Sequence, residues 1–490
     1  MLNRSRQYLY MHAAVRSSSK HWLRESRASL SHHKEAHCFI PEKSRPLDSA
    51  KLVKYLQQQL AQYNTKLANS GREFQQAIKT IPLGAHSTFQ SFDPYPISIV
   101  SANGAWMTDV DGRQCLDLSM GFGSMLVGHL NPEVVSELIA ALKVGTLFTA
   151  PSPTARTAAE IFCRRLGIEQ IRFTNSGTES TMYAVRTARA YTGKEGVVKV
   201  EGGYHGSGDN VLFSTKPSKD DWGSPDAPNV VVGNAAVPGE CYVVPFNNIE
   251  ALEKVFKKHS STIACFIVEP VLQNIGIVLP DAGYLEAVRA LCDKYKILLV
   301  FDEVKTGLTS GPQGAAQRLG VTPDLICLAK SIGGGIPLAA FGGKAEYMMP
   351  VTDGRMPHLG TFNGYSLAAA AAKAVDKVCT PEALARSEAF NVQALKRIIE
   401  IINEYELPAH TVGFGVKGCI TWSEKPVRNY RDYKATDFQA AYLSFIHSLN
   451  NAVMTPPGLD EQWLISLAHG QKEVDFIVDH FRDLAKNLRA

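Results

Sequence analysis

The sequence predicts an α/β fold: a mostly parallel sheet in a large domain, with a smaller α+β domain drawn from the N- and C-terminal parts. Three observations lead there. Between about residues 130 and 345, short apolar runs alternate with helix-periodic stretches, the pattern of parallel strands joined by crossover helices. Four of those runs, ACFIVEP, ILLVFDE, LICLAK and LAAFGG, are continuous, as strands buried on both faces should be. Two of them end on reactive residues, Asp302 and Lys330. An acid and an amine then stand at the carboxyl ends of buried strands, where open α/β sheets take their ligands.

The N-terminal stretch comes first. Residues 1–24 carry Arg4, Arg6, Arg16, Lys20 and Arg24, no acid, and serines at 17–19. That composition suits a mitochondrial transit peptide or a disordered basic extension, so residues 1–45 are read as an extension. The compartment is mitochondrial on the first reading and cytoplasmic on the second. From Leu47 to Leu67, Leu52, Tyr55, Leu56, Leu60 and Tyr63 recur near helical spacing. A second short helix is expected over about 70–80, and residues 46–129 form the N-terminal helix and part of the small domain. Residues 130–365 are the large domain and 366–490 the C-terminal small domain. The alanine run AAAAAKAVDKV (368–378) opens that last part as a close-packed helix.

Inside the large domain, QIRFTNSGTESTMYAVRTARAYTG (170–193) runs as strand, small polar turn and helix. Ser176, Gly177 and Thr178 lie at the turn, where free backbone N–H groups and the positive helix end converge and can hold a phosphate. A plain N-terminal cap, with Ser176 or Thr178 capping and Glu179 in the first turn, uses the same donors, and both readings can hold together. Further on, KVEGGYHGSGDN (199–210) sets Tyr204 and His205 between glycines, bringing an aromatic face to a ligand. Phosphate turn, aromatic ring, acid and lysine together suit pyridoxal phosphate, which needs a lysine for its Schiff base and a carboxylate against its pyridinium nitrogen. Glu269, Glu303 and Lys305 lie near these motifs and read as structural.

Composition bounds the alternatives. The chain has 490 residues, 45% hydrophobic and 20% charged, as a globular enzyme does. A net charge of +4 over that length is too weak to argue for nucleic acid. The nine cysteines occur singly, without CxxC or Cys/His clusters, so neither a disulfide frame nor a metal site is expected. No apolar run approaches the length that spans a bilayer.

Several separated motifs in order carry a family resemblance over roughly residues 70–480: VDGRQCLDL (110–118), GHLNPEV (128–134), NSGTES (175–180), YHG (204–206), VEPVLQN (268–274), FDEVKTG (301–307), VTPDLICLAKSIGGGIP (321–337) and GTFNG (360–364). The chain resembles class III pyridoxal-phosphate-dependent aminotransferases of the type I fold, and among them glutamate-1-semialdehyde aminomutase most. The resemblance implies that Lys330 forms the internal aldimine and Asp302 pairs with the ring nitrogen. It implies that Gly177 and Thr178 hold the phosphate, Tyr204 stacks on the ring and Asn274 lies near the ring hydroxyl. Thr361 would reach the phosphate of a neighbouring subunit, so a homodimer with shared sites is implied.

Substrate contacts are expected from Ser87 and Gln90, in GAHSTFQSF (84–92), and from Glu461. Aminomutases carry an arginine on the first of these segments, and Gln90 takes its place here. Glutamine cannot make the bidentate charged fork that arginine makes with a carboxylate. Arg355, ahead of GTFNG, could replace that charge, although a solvated loop arginine is the plainer reading. The favoured function is therefore transfer of an amino group between an amine or amino acid and a keto acid or aldehyde. Isomerisation of the aminomutase type is the alternative. A catalytically silent member of the fold acting as a binding protein is the alternative from another class.

Overall fold

Seven strands carry the centre of the fold: β1 (Gln170–Thr174), β2 (Gly196–Val200), β3 (Cys241–Val244), β4 (Ile263–Val268), β5 (Leu298–Asp302), β6 (Leu325–Leu328) and β7 (Ala339–Gly343). This computed structural model describes residues 36–233, 239–458 and 462–489. The basic extension before residue 36, and Glu461, lie outside the described residues. Across the sheet the order is β1-β7-β6-β5-β4-β2-β3. The pairs β3/β2, β2/β4, β4/β5 and β5/β6 are parallel, and β7 alone runs against its neighbours. The expected mostly parallel sheet is therefore present. Every residue of β4, β5 and β6 is buried, as their unbroken apolar runs require.

The register of β7 brings three strand ends together. Its first residue, Ala339, pairs with Thr174 at the end of β1, and Ala340 pairs with Leu328 at the end of β6. Residues just beyond β1, β5 and β6 thus gather along one edge of the sheet. Against it lies the helix Gly177–Thr192, whose Tyr183, Ala184, Val185 and Ala188 are buried. Burying such side chains supplies about 1.5–3 kcal/mol for each large one. The alanine run folds as the helix Ser366–Val378, with five consecutive alanines, Ala368–Ala372, buried. Small side chains let it pack closely on its neighbours.

Two smaller sheets join the chain ends. Strands Ile99–Asn103, Trp106–Asp109 and Gln114–Asp117 are extended by Val453–Met454 from the C-terminal part. The second holds His410–Phe414, Lys417–Thr421 and Trp463–Leu464, with His37–Phe39 on the outside of His410–Phe414. That outer strand lies within the stretch read from sequence as extension, so ordered structure begins before residue 45. Its backbone pairing to the C-terminal strand is what places it there.

The N-terminal helix spans Ser49–Lys66, capped by Asp48, whose carboxylate accepts from the amides of Ala50 and Lys51 at 2.9 and 3.1 Å. The second helix, Ala68–Ala77, comes next with only Leu67 between them. Tyr63 is buried and donates to the Tyr95 carbonyl at 2.6 Å, fixing the helix over the chain that follows Gln90. Among the described residues no helix is long and apolar enough to cross a membrane.

Candidate active site

Asp302 is the last residue of β5 and is only 3% exposed. Its Oδ1 accepts from the Val304 amide at 3.0 Å, and its Oδ2 lies 2.8 Å from His205 Nδ1. With a carboxylate as acceptor, His205 must carry its proton on Nδ1 there. His205 is itself buried, and its backbone carbonyl accepts from the Thr181 hydroxyl at 2.6 Å. The glycine-rich loop is thus tied at one point to the acid and to the Gly177–Thr192 helix. Sequence alone assigns His205 no role; only its position next to Tyr204 points to it.

Lys330 lies two residues beyond β6 and opens a short 3-10 turn, Lys330–Ile332. Its φ of 52° is left-handed, a conformation costly for a residue with a Cβ and commonest at functional positions. Gly334 after it has φ of 55°, and a Cβ there would lie 2.8 Å from Val375 Cγ2. Tight packing beneath the turn holds Lys330 in place.

The phosphate turn and the N-terminal cap coexist. Ser176 Oγ accepts from the Glu179 amide at 3.2 Å, while Glu179 accepts from the Asn175 amide at 2.8 Å. This is close to a reciprocal capping box, shifted by one residue. Thr178 Oγ1 accepts from the Ser207 amide at 3.1 Å. The approach requires glycine at position 206, where φ is 93° and a Cβ would lie 2.6 Å from Thr178 Oγ1.

These elements line one cavity of about 120 Å³, whose wall includes Gly177, Thr178, Tyr204, Asn274, Asp302 and Lys330. Six of the sequence-identified residues therefore meet. Glu269, Val304 and Lys305 also line it, although the first and last read as structural from sequence. Glu269 Oε1 accepts from Asn274 Nδ2 at 2.9 Å, and burial pushes its carboxyl pKa up. Glu303 faces away: its two oxygens accept from the amides of Ala315 and Ala316 at 2.6 and 2.8 Å, as a structural acid does. Burial raises its pKa to about 7.

Other candidates stand outside this wall. Ser87 caps the short turn Thr88–Gln90, and Gln90 is exposed. Between them Phe89 meets Tyr204 edge-on, ring centroids 5.5 Å apart, which brings the segment to the cavity's aromatic rim. Arg355 is elsewhere: it pairs with Asp353 at 2.8 Å and donates to the Ala190 carbonyl at 2.8 Å. Thr361 is exposed on the GTFNG loop. That loop is joined to the phosphate turn by Asn175 Nδ2 donating to Asn363 Oδ1 at 3.2 Å.

A lysine, a buried carboxylate oriented by a histidine, an aromatic face and a helix N-terminus make a donor set that fits pyridoxal phosphate. Comparison with known proteins agrees. The model of the family "Aminotransferase class-III" matches residues 89–436. Glutamate-1-semialdehyde 2,1-aminomutase 1 of Listeria welshimeri is 35% identical over 427 residues, 86% of this chain and 99% of that protein. An omega-transaminase from Sphaerobacter thermophilus superposes with a TM-score of 0.80 at 30% identity, covering 86% of this chain and 98% of that one. A transaminase solved with PLP bound gives a TM-score of 0.78 at 28% identity, covering 86% and 97%. The chain belongs to the class-III aminotransferases, and its cofactor is pyridoxal 5'-phosphate.

Proposed function

We propose that this enzyme transfers an amino group between an amine or amino acid and a keto acid or aldehyde, with Lys330 as the catalytic base. The observation that carries the reading is the convergence of Lys330, Asp302 and the Gly177–Thr178 turn on one cavity. Bound pyridoxal phosphate supplies an electron sink and a carbon that takes up and returns nitrogen. Asp302 holds a proton at the ring nitrogen, and His205 fixes which way its carboxylate faces. Lys330 Nζ would hold the cofactor and move a proton at the substrate carbon, which is general acid–base work. The amides of Gly177 and Thr178, with the Thr178 hydroxyl, would hold the phosphate, while Ser176 keeps the helix start capped. Tyr204 would cover the ring and keep water from it, and Asn274, held by Glu269, would take the ring hydroxyl. Borohydride reduction followed by peptide mapping should place the cofactor on Lys330. Label on another lysine would remove the assignment.

Transfer is favoured over isomerisation by Gln90. A neutral amide at the carboxylate-binding place forgoes a charged pair worth about 1.5–3 kcal/mol. Glutamate-1-semialdehyde should therefore be a poor substrate. Gln90→Arg should raise kcat/KM for carboxylate substrates by about one to two decades. Efficient isomerisation of glutamate-1-semialdehyde by the unmodified enzyme would instead restore the aminomutase reading. Screening amine donors for conversion of the cofactor to its amine form identifies the natural class.

The functional unit on this reading is a homodimer, with Thr361 completing the partner's site and Glu461 serving as a substrate contact. Support comes from Thr361, which lies outside this chain's cavity wall, and from Leu359 and Phe362 beside it, 74% and 54% exposed. An apolar loop tip of this kind suits burial against a second copy. Mixing Lys330→Ala subunits with Thr361→Ala subunits should restore part of the activity, because both defects can fall in one site of the mixed dimer. A protein that sediments as a monomer while holding cofactor tightly would rule the shared site out.

A further inference from the structure

One buried lysine has no part in the proposed transfer reaction. Lys199, next to last in β2, is fully buried. Strand alternation puts it on the face of the sheet that Val197, Ile267 and Val300 turn toward the helix Gly177–Thr192, and Asp302 ends the same row of β5. Its Nζ donates to the Val211 carbonyl at 3.1 Å, to the Phe213 carbonyl at 2.7 Å and to Thr215 Oγ1 at 3.3 Å. All three partners are neutral. Burial pulls its pKa down to about 7, against the opposing pull of Glu269, Cys241 and Asp302.

The three partners lie on alternate residues of one short stretch, 211–215, the return limb of the loop that carries Tyr204 and His205. The outgoing limb is held on the helix side, where the Thr181 hydroxyl donates to the His205 carbonyl and the Ser207 amide donates to Thr178 Oγ1. The return limb belongs to none of the strands, so the ammonium supplies donors that a neighbouring strand would supply elsewhere. Between Phe213 and Thr215, Ser214 takes a left-handed φ of 44°, and its carbonyl accepts from the Gly202 amide at 2.9 Å. Such a conformation persists only where its surroundings over-determine it. Gly202 is two residues from Tyr204. The bonds therefore run from Lys199 through the return limb to the base of the loop in front of the cavity. Burying an ammonium on neutral partners is costly, and an apolar residue would avoid that cost. Strong, charge-assisted bonds to a limb that must stay in place are what the lysine contributes.

We propose that Lys199 is a positioning residue: from inside the sheet it bolts down the return limb of the glycine-rich loop, and so sets where Tyr204 stands before the cofactor arrives. This rests on the role proposed for Tyr204. The site is then pre-formed in the chain without cofactor, and Lys199 acts on cofactor binding without touching the cofactor. A merely structural lysine would instead support the whole sheet equally.

The test uses the full-length protein and Lys199→Met, which keeps the length of the side chain and removes its donors. Hydrogen exchange without cofactor should show amides 202–215 losing about 10- to 100-fold of their protection, while those of β5 keep theirs. The Kd for pyridoxal phosphate should rise by a similar factor, as the fraction of chains with the loop in place falls. The visible circular dichroism of bound cofactor, which reports its asymmetric surroundings, should weaken. In a Tyr204→Ala background, Lys199→Met should raise Kd by less than about threefold, because the two changes remove one and the same contact. Thr215→Val, which takes away only the longest of the three bonds, should loosen the loop in the same direction by about two- to fivefold. Should Lys199→Met fail to fold, Thr215→Val decides the matter, and unchanged loop protection in it counts against the proposal. Equal loss of protection in the loop and in β5, an unchanged Kd, or effects that simply add in the double variant would overturn it. A Tyr204→Ala protein that binds cofactor as tightly as the unmodified one would instead remove Tyr204 from the site, and the proposal falls with that role.

Discussion

Lys330→Ala should abolish turnover, by more than about four decades, while the protein stays folded and still holds pyridoxal phosphate noncovalently. The main chain at this position is already left-handed, and alanine faces the same penalty as lysine, so the exchange adds no backbone strain. The lysine side chain is not part of any apolar cluster, so its loss leaves the core unchanged. On the proposed reading, what disappears is the base that moves the proton at the substrate carbon. Thermal unfolding should match the unmodified protein within about 1 kcal/mol, and gel filtration should retain cofactor absorbance with the protein. Partial recovery of the half-reaction by added methylamine would confirm that a missing base, not a distorted site, is the cause. Turnover above a few per cent in Lys330→Ala would show that another group moves the proton.

Asp302→Asn is the second large effect. The amide keeps the shape but carries no charge, so on the proposed reading the proton on the ring nitrogen would lose its partner. A preorganised contact of this kind is worth about 3–4 kcal/mol, so a loss of two to three decades in the half-reaction is expected. The local hydrogen bonds can survive: the asparagine Oδ1 accepts from the Val304 amide, and the new NH2 donates to His205 Nδ1 once that ring shifts its own proton to Nε2. His205 Nε2 is buried without a hydrogen-bond partner, so the shifted tautomer hides an unsatisfied N–H and should cost stability by about 1–3 kcal/mol. Circular dichroism and a melting curve separate that cost from the catalytic one. Near-normal turnover in a folded, cofactor-loaded Asp302→Asn enzyme would show the acid to be structural.

Much of the site is legible in the sequence because its residues sit where chain patterns change. Asp302 and Lys330 end apolar runs, and Ser176–Thr178 break a strand from a helix; both are local signals. His205, Glu269 and Lys305 are not legible in the same way. Their meaning depends on side-chain contacts that the folded loops create: His205 with Asp302, Glu269 with Asn274, Lys305 with Gln273 and Lys417. Nothing in the spacing of single residues reveals which buried charges face a common space. The outer strand His37–Phe39 is hidden for a related reason, since a three-residue strand at a sheet edge has almost no pattern of its own.

The antiparallel course of β7 bears on how the enzyme comes to exist. β7 separates β1 from β6, so the phosphate turn and Lys330 become neighbours only after the chain from 339 to 343 has docked between them. The pairing of β7 with β1 joins stretches far apart in sequence, and such contacts form late because loop-closure entropy must be met first. Partly folded chains, ending anywhere before β7, then have no assembled site. Uptake of the vitamin-derived cofactor becomes a proofreading signal for a completed sheet, and mass action stabilises only those chains that have finished folding.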